Sequence, residues 1–104
     1  MWSSNGYDIQ MVEGDFGIKL PIMLEDMTIT ASDEFRIKIT HGGQAVLTLT
    51  FDNISNNKFD LELTEAQSNS LKIGTYLYSL DWYQNGEFMC NIIPCAKFKV
   101  VDKA

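Results

Sequence analysis

The stretch Leu63–Trp82 constrains the fold most, because it specifies a helix start followed at once by a strand. Thr64 and Gln67 have the spacing of a capping box, which predicts one short helical turn over about 64–72. Leu71 gives that turn an apolar anchor, and Gly74 is expected to end it in the left-handed conformation. A helical turn that leads into a strand is typical of chains crossing between the sheets of a β-sandwich. The large side chains of the predicted strand alternate at Tyr76, Tyr78, Leu80 and Trp82.

Other parts of the chain show the same two-residue alternation, separated by short turns. Pro21 predicts that one of these strands lies at a sheet edge or carries a bulge. The chain is therefore predicted to be a single all-β domain over residues 1–104: an immunoglobulin-like antiparallel sandwich of about seven strands with one short helical turn. The further predicted strands are residues 7–12, 16–24, 34–40, 45–51, 58–63 and the segment after Asn85-Gly86.

The loop that joins residues 34–40 to residues 45–51 can be sized by matching apolar faces. A two-residue turn at Gly42-Gly43 would place Ile37 opposite Thr48, and so set a core residue against a surface residue. A three-residue loop that also includes His41 places Ile37 opposite Leu47 instead. We therefore expect the three-residue loop.

Asn85-Gly86 is the strongest hairpin signal in the chain, and a two-residue turn there pairs Trp82 with Met89. Later core positions are even-numbered whereas Met89 is odd, so the strand is expected to change phase at a bulge at Pro94-Cys95. This register predicts an apolar outer face, which we expect to bind a partner. Its members are Leu77, Tyr83, Phe88, Cys90 and Ile92. A longer loop without a phase change would place the last three of these in the core instead.

The charge balance bounds the partners. Eight Lys and Arg against fourteen Asp and Glu give a net charge of -6. That charge argues against a nucleic-acid partner, whose phosphates require a basic surface, and against docking on anionic membranes. No apolar run has the length of a membrane span, and the N-terminus lacks the pattern of a signal peptide. These features predict a protein of the cytoplasm.

No arrangement typical of catalysis, cofactor binding or metal binding is found in the sequence. His41, the one histidine, lies in a Gly-Gly turn and is expected to be a solvated loop residue. Cys90 and Cys95 would lie about 16 Å apart along one strand, beyond the limit of about 7 Å for a disulfide, so free thiols are predicted. We therefore expect neither an enzyme nor a cofactor or metal site. Three carboxylates could come together at one end of the sandwich and attract calcium, namely Asp15, Glu25 and Asp26. Their spacing does not match that of a calcium-binding loop.

Several motifs together resemble a known family. Glu13-Gly14-Asp15 resembles the Arg-Gly-Asp-type turn near the start of many phage tail and baseplate domains. Residues 63–71 and 74–80 are similar to the signature Leu-Thr-x-x-x-Thr-x-x-Leu-x-x-Gly-x-Tyr-x-Tyr-Asp-Ile. Asn85-Gly86, Ile92-Ile93 and Phe98-Lys99-Val100 complete the pattern. The chain thus resembles the immunoglobulin-like N-terminal domain of phage baseplate upper proteins and related small prophage proteins. It departs from the pattern at Glu13, Ser79 and Pro94-Cys95.

The resemblance implies a non-enzymatic phage or prophage structural module that docks into a multi-subunit tail or baseplate assembly. Its partners would be other phage structural subunits, in a homo-oligomer or a hetero-assembly, first in the bacterial cytoplasm and then in the virion. The longer members of the family carry receptor-binding regions after this domain, so docking rather than receptor binding is expected here. The alternative is a carbohydrate-binding β-sandwich module. It requires an exposed ring of Trp82, Tyr76 or Tyr83, whereas aromatic residues at this spacing usually face the core.

Overall fold

The alternating segments form two sheets. The structure, a computed structural model, describes residues 3–5, 7–17, 19–24, 28–52, 54 and 56–102, of which residues 3–5 are described by their backbone alone. Within these ranges the chain forms eight strands and one helix. In chain order they are β1 (Ser3–Asn5), β2 (Asp8–Val12), β3 (Leu20–Met23), β4 (Asp33–His41), β5 (Gln44–Phe51), β6 (Lys58–Leu61), α1 (Glu65–Asn69), β7 (Gly74–Gln84) and β8 (Glu87–Val101).

The larger sheet has the strand order β1-β2-β8-β7-β4-β5, and the smaller sheet pairs β3 with β6. The prediction of an all-β sandwich with one short helix is confirmed. The pairing is not wholly antiparallel, because β2 lies along the side of β8 that faces away from β7 and runs parallel to it, with Ile9 opposite Phe98. Pro21 was correctly predicted at an edge, since β3 belongs to a two-stranded sheet.

The core lies between the two sheets. Phe59 of β6 stacks on Phe51 of β5 with 4.4 Å between the ring centroids, and its ring lies 6.2 Å from that of Phe35. We call the side of the larger sheet that faces the smaller sheet the inner face, and the opposite side the outer face. Buried inner-face residues are Ile9, Met11, Phe35, Ile37, Ile39, Leu49, Tyr76, Tyr78, Leu80, Ile93, Ala96, Phe98 and Val100, which pack with Leu24, Phe59, Leu61, Leu63 and Leu71.

The predicted capping box of α1 is present. Thr64 Oγ1 accepts a hydrogen bond from the backbone N–H of Gln67 at 3.2 Å, and Gln67 Oε1 accepts one from the backbone N–H of Thr64 at 2.9 Å. Leu71 is buried, as its role of apolar anchor requires. Both ends of the box therefore satisfy a backbone donor that the first helical turn leaves unpaired.

The predicted helix end at Gly74 is wrong. The helix ends at Asn69, and Gly74 opens β7 with φ +157°. Ser70 caps the helix in a right-handed conformation. Its hydroxyl donates to the carbonyl of Gln67 at 2.6 Å, and its N–H also bonds the last turn. Because these bonds already satisfy terminal carbonyls, the helix needs no left-handed residue.

The predicted three-residue loop between β4 and β5 is also wrong. His41 pairs with Gln44, so the turn consists of Gly42-Gly43 alone, with both glycines at positive φ. A bulge at Val46 then restores the match of apolar faces, and Ile37 lies opposite Leu49 rather than Leu47. The face-matching prediction failed because it assumed a ladder without bulges. Strict alternation through the predicted strand 45–51 would place Ala45 on the core side with Leu47 and Leu49, but the bulge at Val46 lies between them and Ala45 is exposed.

The two-residue turn at Asn85-Gly86 is confirmed, with Gln84 opposite Glu87. The predicted bulge at Pro94-Cys95 is present, but β8 carries two more, at Met89 and at Ile92. Each one adds a residue to β8, and the bulge at Met89 sets Trp82 opposite Cys90 instead of Met89. The first part of the predicted strand 16–24 is not a strand: Phe16 is exposed in the loop before β3, and Ile18 lies outside the described residues.

Candidate functional site

Two aromatic residues meet on the outer face beside the β7–β8 turn. Tyr83 and Phe88 lie opposite each other in the ladder, and their rings make an edge contact with 5.6 Å between centroids and 73° between planes. The two-residue turn brings them together, because it places β8 beside the last residues of β7. Phe88 is 53% exposed, which leaves much of its ring accessible to a partner.

A charged pair covers the Tyr83 ring. The guanidinium carbon of Arg36 lies 3.9 Å from the ring centroid, within the range of a cation–π contact. Arg36 Nε donates to Glu34 Oε2 at 2.6 Å, and this hydrogen bond raises the pKa of Arg36. Both charged residues belong to β4, two residues apart on the same face. Glu34, Arg36, Tyr83 and Phe88 together form what we call the outer-face cluster.

A buried carboxylate holds the chain segments beneath the cluster. Asp33 is 2% exposed, and its Oδ1 accepts hydrogen bonds from Trp82 Nε1 at 3.0 Å and from Gln84 Nε2 at 3.2 Å. Its Oδ2 accepts from the backbone N–H of Thr30 at 2.8 Å and from the hydroxyl of the same residue at 3.3 Å. One side chain therefore joins the loop before β4 to the end of β7.

Hydrogen bonding outweighs burial at this carboxylate. The hydrogen bond from the Thr30 backbone lowers the pKa of Asp33 below its ordinary 3.8, although burial acts in the opposite direction. The bonds from Trp82 and Gln84 lower the pKa further. The ionised Asp33 side chain thus holds the backbone next to Glu34 and Tyr83 in place through its hydrogen bonds. Because it is buried, it is not accessible to a partner.

The predicted partner-binding residues do not form one patch. Leu77 is 46% exposed on the outer face, but it lies six residues before Tyr83, about 20 Å along the strand. Cys90 is exposed, but it lies opposite the inner-face residue Trp82. Ile92 sits at a bulge and packs half-buried against the core.

Tyr83 and Phe88 are the two that the structure brings together. The alternative that places Phe88, Cys90 and Ile92 in the core is wrong for Phe88 and Cys90, because both are exposed, whereas Ile92 packs half-buried against the core. The sequence reasoning missed Glu34 and Arg36 as part of the site. The signal that points to them is an opposite-charge pair two residues apart, which one face of a strand brings together. Placing that pair on Tyr83 also requires the β4–β7 register, in which Glu34 lies opposite Tyr83.

The aromatic residues of the carbohydrate alternative do not form an exposed platform. Tyr76 is buried, and its hydroxyl donates to the carbonyl of Lys72 at 2.9 Å. Trp82 is half-buried and donates its indole N–H to Asp33. Tyr83 is half-buried, and Arg36 occupies one face of its ring.

The remaining candidate residues are separate from one another. His41 is exposed and its ring lies 5.2 Å from that of Tyr76, while Cys90 and Cys95 are free thiols, as predicted. Among the described residues, no group of three or more His, Cys, Asp and Glu is placed to hold a metal ion. Glu25 and Asp26, considered for calcium with Asp15, lie outside the described residues. No helix in the described part of the chain is long and apolar enough to cross a membrane.

No protein-family model, curated protein or solved structure matches this chain. The geometry of the outer-face cluster and the resemblance of the sequence motifs are therefore the two sources for a functional proposal.

Proposed function

We propose that the chain is a non-enzymatic structural module that docks into a multi-subunit tail or baseplate assembly of a phage or prophage. The sequence resemblance supports this proposal through motif residues that serve the fold: the cap residue Thr64 and the buried Tyr76 and Tyr78. Its partners would be other structural subunits, with no role for nucleic acid or membrane. Assembly would take place in the bacterial cytoplasm, before the protein becomes part of the virion.

The exposed ring of Phe88 is the observation on which docking rests. Half of this large apolar side chain faces solvent, next to an arginine that Glu34 holds in place over Tyr83. Aromatic residues and arginine are enriched at protein interfaces and dominate their binding energy. A side chain already fixed in position also loses less conformational entropy on binding. The outer-face cluster therefore suits a protein partner better than a small substrate.

The test is incorporation into particles. Phe88→Asp removes the apolar ring from an exposed position, so the domain should stay folded by circular dichroism while binding to its assembly is lost. The measurement is quantitative mass spectrometry of purified particles from induced cells that carry either the wild-type or the altered gene. We expect the wild-type protein in a fixed ratio to the other structural proteins, and at least a tenfold loss for Phe88→Asp, as removal of an interface anchor implies.

Ile73→Asp provides a matched control. Ile73 is also 53% exposed, but it precedes β7 at the end remote from Tyr83, so this variant should enter particles normally. Absence of the wild-type protein from particles, or equal incorporation of both variants, would contradict the proposal. A gene that lies among metabolic genes rather than tail, baseplate or lysis genes would contradict it as well.

The carbohydrate alternative is not favoured by this geometry, because Tyr76 is buried and the other two rings are half-buried. A glycan array on which the wild-type protein binds a sugar, and a variant such as Tyr83→Ala does not, would reverse that preference.

A further inference from the structure

Most of the sheet edges are protected against pairing with another chain. β1 is three residues long, β3 contains Pro21, and β6 carries Lys58 and Asp60 within four residues. Short strands, proline and charge are the usual protections of an exposed edge. The part of β8 before Phe98 has no described strand on its β2 side, but its three bulges and Pro94 interrupt the ladder there.

The edge strand β5 lacks these protections over most of its length. Its eight residues, Gln44–Phe51, include no proline and no charged side chain, and the single bulge lies near the turn at Val46. On the side away from β4, no strand pairs with it and no loop backbone bonds to it among the described residues. The backbone groups on that side are therefore placed to accept a further strand.

We propose that this edge pairs with β5 of a second copy of the chain, antiparallel about a two-fold axis at Thr48. If the two-fold axis is perpendicular to the sheet, the inner faces of the two copies lie on the same side of the combined sheet. Each β5 residue must therefore lie opposite a residue of the second copy whose side chain points to the same face. Every register centred on a residue meets that condition, and the register centred on Thr48 has two further advantages. It sets the two Thr48 side chains opposite each other, which is a favourable pair in sheets. Leu47 lies opposite Leu49 twice, which covers the half-buried Leu47.

The absence of charge on β5 allows a second copy to approach this edge although each chain is acidic. Each chain carries a net charge of -6, so two copies repel wherever their acidic surfaces meet. The β5 edge is uncharged over its whole length, and it is the same on both copies. On the outer face the next strand inward presents Lys38 opposite Thr48, so no acidic side chain stands beside the proposed axis. The two-fold pairing thus joins the copies along a strand that carries no charge.

This pairing goes beyond the docking proposed above and does not use the outer-face cluster. A wild-type protein that enters particles but never dimerises would contradict the pairing and leave the proposed function standing. A wild-type protein that dimerises through β5 but never enters particles would support the pairing and contradict the proposed function.

The test uses charge at the proposed axis. Thr48→Glu places two carboxylates opposite each other in the dimer, while within one chain the new carboxylate lies opposite Lys38 and should not disturb the fold. Sedimentation equilibrium from about 1 µM to about 1 mM covers weak and moderate affinities. We expect a wild-type dimer in this range, and association weakened by about fivefold or more in Thr48→Glu.

Two further samples make the test specific. Thr75→Glu is the control, because Thr75 is also exposed and lies opposite a lysine, Lys99, but belongs to the central strand β7. It should dimerise like the wild type. An equimolar mixture of Thr48→Glu and Thr48→Lys should dimerise more tightly than either variant alone, since opposite charges then meet at the axis. A monomeric wild type, undiminished association of Thr48→Glu, equal weakening by Thr75→Glu, or a mixture that associates no more tightly than the single variants would each overturn the pairing.

Discussion

Replacing Asp33 with asparagine is expected to lower the free energy of unfolding by about 2–4 kcal/mol at neutral pH. The carboxylate accepts four hydrogen bonds, two on each oxygen, from Thr30, Trp82 and Gln84. Asparagine keeps one oxygen and presents an amide donor on the other side, where two donors already point. A buried donor left without an acceptor costs about 1–3 kcal/mol, so two such donors cost about 2–6 kcal/mol together. The lower end of the combined loss applies, because asparagine also avoids burying a charge.

The pH dependence identifies the charge as the cause. Because the pKa of Asp33 is lowered on folding, its ionisation stabilises the native state fully above the ordinary value of 3.8. That contribution disappears as the pH falls from 3.8 through the lower folded pKa. The difference in unfolding free energy between wild type and Asp33→Asn should therefore be constant at neutral pH and narrow below pH 3.8.

The assay is urea denaturation followed by tryptophan fluorescence, to which Trp2 and Trp82 both contribute, with circular dichroism as a second probe. Asp60→Asn is the control, since Asp60 is exposed on β6 and its replacement should change stability by less than about 0.5 kcal/mol. A loss below about 1 kcal/mol in Asp33→Asn, or a difference that stays the same through acid pH, would refute the role given to this carboxylate.

Three further substitutions test separate contacts by thermal and chemical denaturation. Thr64→Ala should cost about 1 kcal/mol because it removes the helix cap, and unchanged melting would show that the cap contributes nothing. Ser68→Ala should stabilise the fold by about 1 kcal/mol, because no described atom forms a hydrogen bond with the buried Ser68 hydroxyl. Ser70→Ala is the control and should not stabilise the fold, because it removes the hydrogen bond from the Ser70 hydroxyl to the Gln67 carbonyl. A Ser68→Ala variant that is less stable than the wild type would contradict this account. Burial raises the pKa of Tyr78 to about 12, so the free energy of unfolding should fall as the pH rises from 10.0 towards 12. Tyr78→Phe should lack this loss of stability at alkaline pH. The same dependence of stability on pH in both proteins would refute the prediction.

The elements that local chemistry determines could be predicted from the sequence. The capping box needs two residues three apart, and the β7–β8 turn needs the left-handed conformation that Asn85-Gly86 adopts readily. Both were predicted at their correct positions. The alternation of Tyr76 and Tyr78 likewise predicted an inward face, and both side chains are buried.

Register could not be predicted, because the bulges depend on packing between distant strands. One unforeseen bulge at Val46 changed the partner of Ile37, and two unforeseen bulges of β8, at Met89 and Ile92, moved its pairing with β7 by two residues. The same limit applies to the site. The Tyr83–Phe88 contact follows from a local turn, whereas the contact of Arg36 with Tyr83 requires the pairing of β4 with β7, which no short turn specifies.

The parallel pairing of β2 with β8 has a consequence for the order of events during synthesis. Ile9 meets Phe98, a residue made 89 positions later, so the first strand of this pair emerges long before its partner exists. At about 5–20 residues per second the ribosome needs roughly 4–18 s to make the intervening chain. During that interval Ile9 and Met11, both buried in the finished protein, have no final place in the core. Until β8 has been made, these two side chains therefore lack the partners that they have in the native sheet, and the pairing of β2 can form only after Phe98 has emerged.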